Sequence, residues 1–204
     1  MSSMEKEIVG KSKHSLRPQT PPLERASLVE LCKKDLDAAT SLFTAAQSAI
    51  DSLRKTDFPE VGRAFRKPPR VVADVFACVI HLRAGLDGSI ELNPRTGRPK
   101  DVSWRQSERI CFDAPNFVHG LRSFKSEIDE GKVPQANVDA AKGVMKYMGD
   151  NFSADIARKS ASPWATVTAA LVDWIRNMVS YYDLIAVVEE RKKLLARQQT
   201  NNVS

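Results

Sequence analysis

Four cationic side chains, Arg63, Arg66, Lys67 and Arg70, crowd into the stretch EVGRAFRKPPR around the adjacent prolines Pro68 and Pro69. Two consecutive prolines remove two backbone donors and hold Lys67 out of helical geometry. The result is a stiff corner of positive charge, suited to meeting anionic groups and not to making or breaking bonds. Catalytic groupings do not assemble elsewhere in the sequence. His14, His81 and His119 are scattered without ligand spacing, and Cys32, Cys78 and Cys111 form no C-x-x-C pair. An odd, dispersed cysteine set supports neither a disulfide framework nor a zinc site and points to a reducing, intracellular setting. Gly10-Lys11-Ser12 resembles the end of a phosphate loop, but Glu5 stands where the upstream glycine is needed and no strand precedes it. The expectation is a binding protein, with no catalytic residue, metal, cofactor or small-molecule substrate.

Charge narrows the partner. The 204 residues carry a formal net charge of +6, which favours an acidic partner: nucleic acid, an anionic membrane or an acidic protein surface. Stacking on bases needs aromatics interleaved with basic residues, whereas here the aromatics fall on helical seams, so nucleic acid is not expected. The opening MSSMEKEIVGKSKHS lacks an apolar signal region, and no stretch approaches the roughly 18 uninterrupted apolar residues of a membrane span. A soluble protein without a membrane partner is expected.

Two long elements position the basic corner. Val29, Cys32, Leu36, Ala39, Phe43, Ala46, Ile50 and Leu53 recur at spacings of three and four, so one helix is predicted from Ala26 to Lys55. An overlapping stripe, Leu28, Cys32, Asp35, Ala39, Leu42, Ala46, Ala49 and Leu53, shares every other position and is broken only by Asp35. Near the other end Leu171, Trp174, Met178, Tyr181, Ile185, Val188, Lys192 and Leu195 repeat the spacing. Two such seams predict an antiparallel two-stranded coiled coil, with two ordinary bundle helices as the alternative. Between them the sequence predicts a buried helix over 71–85 closing on Gly85, a short basic helix over 104–112, a helix capped by Asn116 and another ending before Gly149. Turn signals at Asp87-Gly88 and Asn93-Pro94 are compatible with a small β-hairpin flap. The predicted fold class is all-α: residues 1–24 a disordered lead, 25–55 and 166–199 the coil strands, 56–165 a small helical-bundle tip, 200–204 a tail.

The order of these parts resembles the stalk and tip of a dynein heavy chain. The resemblance rests on EVGRAFRKPPRVV, W-x2-S-x-R-I-x2-D-x2-NFV-x2-LRSF, GKVPQANV and LVDWIRNMVSYYDLIAVVEERKKL, and covers about residues 26–199. The flap-like insertion before Trp104 and the Trp-Ile-x-x-Met-x-x-Tyr pattern look more axonemal than cytoplasmic. The resemblance implies a coil carrying a tip that grips the microtubule, whose tubulin face is strongly acidic, in the cytoskeleton of a cilium or flagellum. It implies Lys55 and Arg63 in a first tip helix, Arg66 and Lys67 before the prolines, Arg105 and Arg109 in the Trp-led helix, and Arg158 and Lys159 at the start of the last long helix. The family's ATPase ring, the expected neighbour in a longer chain, has no counterpart here. Departures from the pattern are Pro59 and Gly62, poor helix formers in the first tip helix; Pro163, within a longer approach to the last helix; and Glu190, where the family places a proline in the returning strand. A reading from a different class is a helical scaffold that captures a partner helix and ignores tubulin.

Overall fold

Seam residues at both ends of the chain build the two longest helices, α1 (Arg25–Asp51) and α7 (Ala165–Asn201). The structure, a computed structural model, describes residues 25–58, 68–160 and 162–201; the expected lead, residues 1–24, lies outside them. α1 and α7 run antiparallel. Asp35 pairs with Arg191, Phe43 lies against Tyr181 with ring centroids 6.5 Å apart, and Ala49 shares a cleft with Ala170. α1 ends at Asp51, short of the expected Lys55, and a 3-10 turn at Lys55–Asp57 follows. The Arg54 backbone N–H donates to Asp57 Oδ2 at 2.7 Å and closes that turn.

The face that α1 turns to its partner differs from the first predicted seam. Leu28 and Cys32 are buried while Val29 is 52% exposed and Leu36 41% exposed. Asp35 takes the position beside α7, and Arg191 answers its charge. Lys192, expected on the α7 seam, is consequently exposed. Toward the tip the shared Ala46 and the first stripe's Ile50 are buried. An acidic residue is tolerated near a seam where an opposite charge reaches it, which is why the interrupted stripe prevails at the base.

The regular elements of the tip are helices among the described residues. α2 (Arg70–Arg83) buries Val72, Val75, Phe76, Val79 and Ile80 and ends as Gly85 adopts φ 81°, the left-handed conformation glycine accepts without strain. α5 (Gln135–Met148) packs beside it, and Asn137 Nδ2 donates to the Ala84 carbonyl at 2.8 Å. α3 (Trp104–Cys111) leads directly into α4 (Ala114–Asp129). The α4 cap is Asp113 and not the expected Asn116: Asp113 Oδ1 accepts from the Asn116 backbone N–H at 3.2 Å. Pro115 fits this earlier start, since its missing donor falls in the first turn, where backbone donors have no helical partner. The flap between α2 and α3 holds one antiparallel bridge, Leu92 to Pro99, flanked by Asn93 N–H to Arg98 O at 2.8 Å and Lys100 N–H to Glu91 O at 2.9 Å.

Helix α4 straps the tip to both coil strands. Arg122 reaches Asp51 of α1 at 2.7 Å, and Lys125 lies 5.5 Å from the ring centroids of Phe43 and Tyr181. Tyr181 Oη donates to Asp129 at 2.6 Å, and the Phe124 ring lies 5.2 Å from Trp174.

Candidate interaction face at the tip

One cluster of aromatic rings joins several segments at the tip end of the coil. Trp164, 1% exposed, precedes α7 and meets Phe58, Phe76 and Trp104 at centroid distances of 6.4, 5.5 and 5.4 Å, each nearly perpendicular. Phe117 of α4 joins through Phe58 at 6.1 Å and Phe76 at 6.3 Å. Edge-to-face contacts set a positive ring edge on a negative face and fix orientation as well as distance. The cluster therefore locks together the exit of the Lys55–Asp57 turn at Phe58, the first residue of α3, and the chain entering α7.

Helix α3 divides cleanly between core and solvent. Gln106, Ser107, Ile110 and Cys111 are buried, with the Gln106 amide satisfied by the Ser89 carbonyl at 2.9 Å. Arg105 and Arg109, one turn apart, are exposed on the opposite side. Asp101 lies within their field. Its carboxyl is held below the usual carboxylate range first by the Ser103 backbone N–H, 2.8 Å away, then by the Ser103 hydroxyl, with Arg109 and Arg105 adding to both.

Arg158 and Lys159 stand elsewhere than expected. They close a separate short helix, α6 (Ala154–Arg158), and do not begin α7. The turn at Ser162–Trp164, where the Trp164 backbone N–H donates to Ser162 Oγ at 3.2 Å, separates the two helices. Arg158 binds Asp155 at 2.9 Å and lies 3.4 Å from Asp173, so its charge is already shared with two carboxylates. Lys159 is exposed. Lys55 opens the 3-10 turn, whereas Arg63, Arg66 and Lys67 fall outside the described residues, in the segment that Phe58 and Pro68 flank.

Two features escaped the sequence reading. Arg83 is 7% exposed, donates to Glu127 and lies 5.9 Å from the Phe124 ring; a lone arginine in the apolar run VVADVFACVIHLRAG was the available signal. The other is Phe112, 79% exposed at the C-terminal cap of α3.

Comparison with known proteins places these features in context. The family described as the microtubule-binding stalk of dynein motor matches residues 23–203. The chain is 34% identical over 165 residues to the dynein alpha chain of the flagellar outer arm of Chlamydomonas reinhardtii, covering 81% of this chain and 3% of that protein. It is 29% identical over 166 residues to dynein heavy chain-like protein 2 of Plasmodium falciparum, covering 81% and 3%. Human dynein axonemal heavy chain 9 is 30% identical over 166 residues, covering 80% and 3%. The chain thus spans about 3% of the length of these relatives.

Proposed function

This chain belongs to the family of microtubule-binding stalks of dynein motors, and from that premise we propose that its tip grips tubulin without catalysis, through basic side chains gathered at the end of the coil. The observation that supports this best is the aromatic cluster, which joins Phe58, the last described residue before the basic stretch in sequence, to the first residue of α3 and to the chain between α6 and α7. The contacts proposed are Lys55, Arg63, Arg66, Lys67, Arg105, Arg109 and Lys159. Arg158 takes part with a charge already shared between Asp155 and Asp173. The ATPase ring of a dynein heavy chain is the proposed partner at the far end of the coil. The axonemal and flagellar names of the relatives support a ciliary setting.

Co-sedimentation with microtubules over a salt series tests this reading. Attraction between exposed charges weakens as the screening length falls below about 8 Å at physiological ionic strength and beyond, so affinity is expected to drop steeply with salt. Arg63→Glu, which sets a carboxylate against an acidic surface, is expected to lose at least about tenfold, or about 1.4 kcal/mol. Lys13→Glu, the same charge change in the lead, is the control and is expected to bind like the parent protein. Absence of sedimentation at low salt would leave the partner-helix scaffold as the better reading. Salt-indifferent sedimentation would remove the electrostatic grip.

The coil register is proposed to tune that grip. Three contacts bind α1 in its present register: Asp35 with Arg191, Asp51 with Arg122, and Phe43 under Lys125. Displacing α1 by half a heptad would exchange its two stripes, bury Leu36 and release all three, α4 among them. Joining Asp35→Cys to Arg191→Cys with a short bifunctional thiol reagent fixes the present register, and joining Ala39→Cys to Arg191→Cys fixes the displaced one. Microtubule affinities are expected to differ between the two. Equal affinities would dispose of the switch.

A further inference from the structure

Phe112 is the most exposed large apolar side chain among the described residues, at 79%. Burying a phenylalanine is favourable relative to leaving it in water, so its exposure forgoes a sizeable contribution. Its backbone is nevertheless fixed on both sides. Phe112 adopts right-handed helical geometry, its N–H donates to the Arg109 carbonyl at 3.3 Å, and the next residue, Asp113, caps α4. Phe112 follows Arg109 by three residues and Arg105 by seven, so the three share one face of α3, opposite the buried Gln106, Ser107, Ile110 and Cys111.

We infer that Phe112 is an apolar anchor of the tubulin contact, seated in a depression of the microtubule surface beside the carboxylates that Arg105 and Arg109 meet. This rests on the microtubule-binding reading above and adds to it a contact that charge does not supply. An aromatic one turn beyond an arginine on the same face is a composition that concentrates binding energy at interfaces, and a fixed backbone limits the ordering cost on association. Charge complementarity selects the occupant: a ring at the end of a row of two arginines suits an apolar site with acidic groups along one side and disfavours a second copy of this same basic face.

The test is microtubule co-sedimentation over a salt series with the full chain and its Phe112→Ser, Phe112→Leu and Arg109→Gln variants. Phe112→Ser is expected to weaken binding by about tenfold at every salt concentration, parallel to the parent protein. Arg109→Gln is expected to flatten the salt dependence instead. Phe112→Leu is expected to keep most of the affinity. Thermal midpoints should coincide, because the ring is outside the core. If the parent protein sediments with microtubules and Phe112→Ser matches it, the anchor is overturned while the microtubule reading stands. If the parent protein does not sediment, the microtubule reading fails first. If Phe112→Ser leaves sedimentation unchanged but abolishes self-association in analytical ultracentrifugation, the ring serves contact between copies and the inference is likewise overturned.

Discussion

Trp164→Ala is expected to destabilise the tip by about 3–5 kcal/mol, the range for deleting a large aromatic from a packed core. Trp164 is 1% exposed and contacts Phe58, Phe76 and Trp104 edge to face. Each such pair is worth about 0.5–1.5 kcal/mol beyond the buried area, so the loss should lie toward the upper end of the range. The neighbours cannot close the space easily, because the rings are held from separate elements: α2, α3 and the segment after α1. Trp164→Phe retains a ring and should cost clearly less. Urea denaturation followed by circular dichroism measures both. A Trp164→Ala loss under about 1 kcal/mol, the centre of the distribution for ordinary substitutions, would show that the cluster is not a core. The functional consequence follows from geometry. A variant still folded at low temperature should bind microtubules more weakly than its folded fraction explains, since the cluster fixes the placement of α3, which carries Arg105 and Arg109, against Phe58 and the chain entering α7.

Periodicity made the long elements legible and left the exact seam open. The spacing of three and four in α1 and α7 identifies both coil strands because a strict heptad has few other uses. It cannot choose between Val29 with Leu36 and Leu28 with Asp35, since the stripes share Cys32, Ala39 and Ala46. The choice rests on Arg191, 156 residues away from Asp35. Local signals failed where two candidates sat close together. Asn116 and Asp113 are both good caps, and Pro115 decides between them by lying inside the helix. α6 is too short for any period to show, so the sequence does not separate Arg158 and Lys159 from α7. Arg105 and Arg109 were visible as the exposed edge of a short amphipathic helix. The competition of Asp173 for Arg158 was not, because it joins residues 15 apart across a turn.

The same limit hid the charge at the centre of the tip. Glu127→Ala is expected to cost about 3–5 kcal/mol, the range for removing one partner of a buried ion pair. Arg83 projects from α2 across one face of α4, where Gly120, Phe124 and Glu127 follow one another down the helix. A Cβ at Gly120 would stand 2.9 Å from Arg83 Nη2, so the guanidinium occupies the space that this glycine leaves. The Arg83 side chain is 8% exposed and that of Glu127 17%. A guanidinium keeps its charge at any pH at which the domain folds, so without Glu127 it must remain unpaired in the core or drag water inward. Glu127→Gln keeps an acceptor in place and should lose less. Replacing both residues by apolar ones of similar volume, Arg83→Met with Glu127→Leu, should recover most of the stability, because it removes the charge together with its partner. Denaturant midpoints for these variants separate the explanations. If the double variant is as unstable as Glu127→Ala, packing against Phe124, and not the uncompensated charge, sets the cost. If Glu127→Ala is nearly neutral, Arg83 is solvated in solution and the link between α2 and α4 is carried by their apolar faces alone.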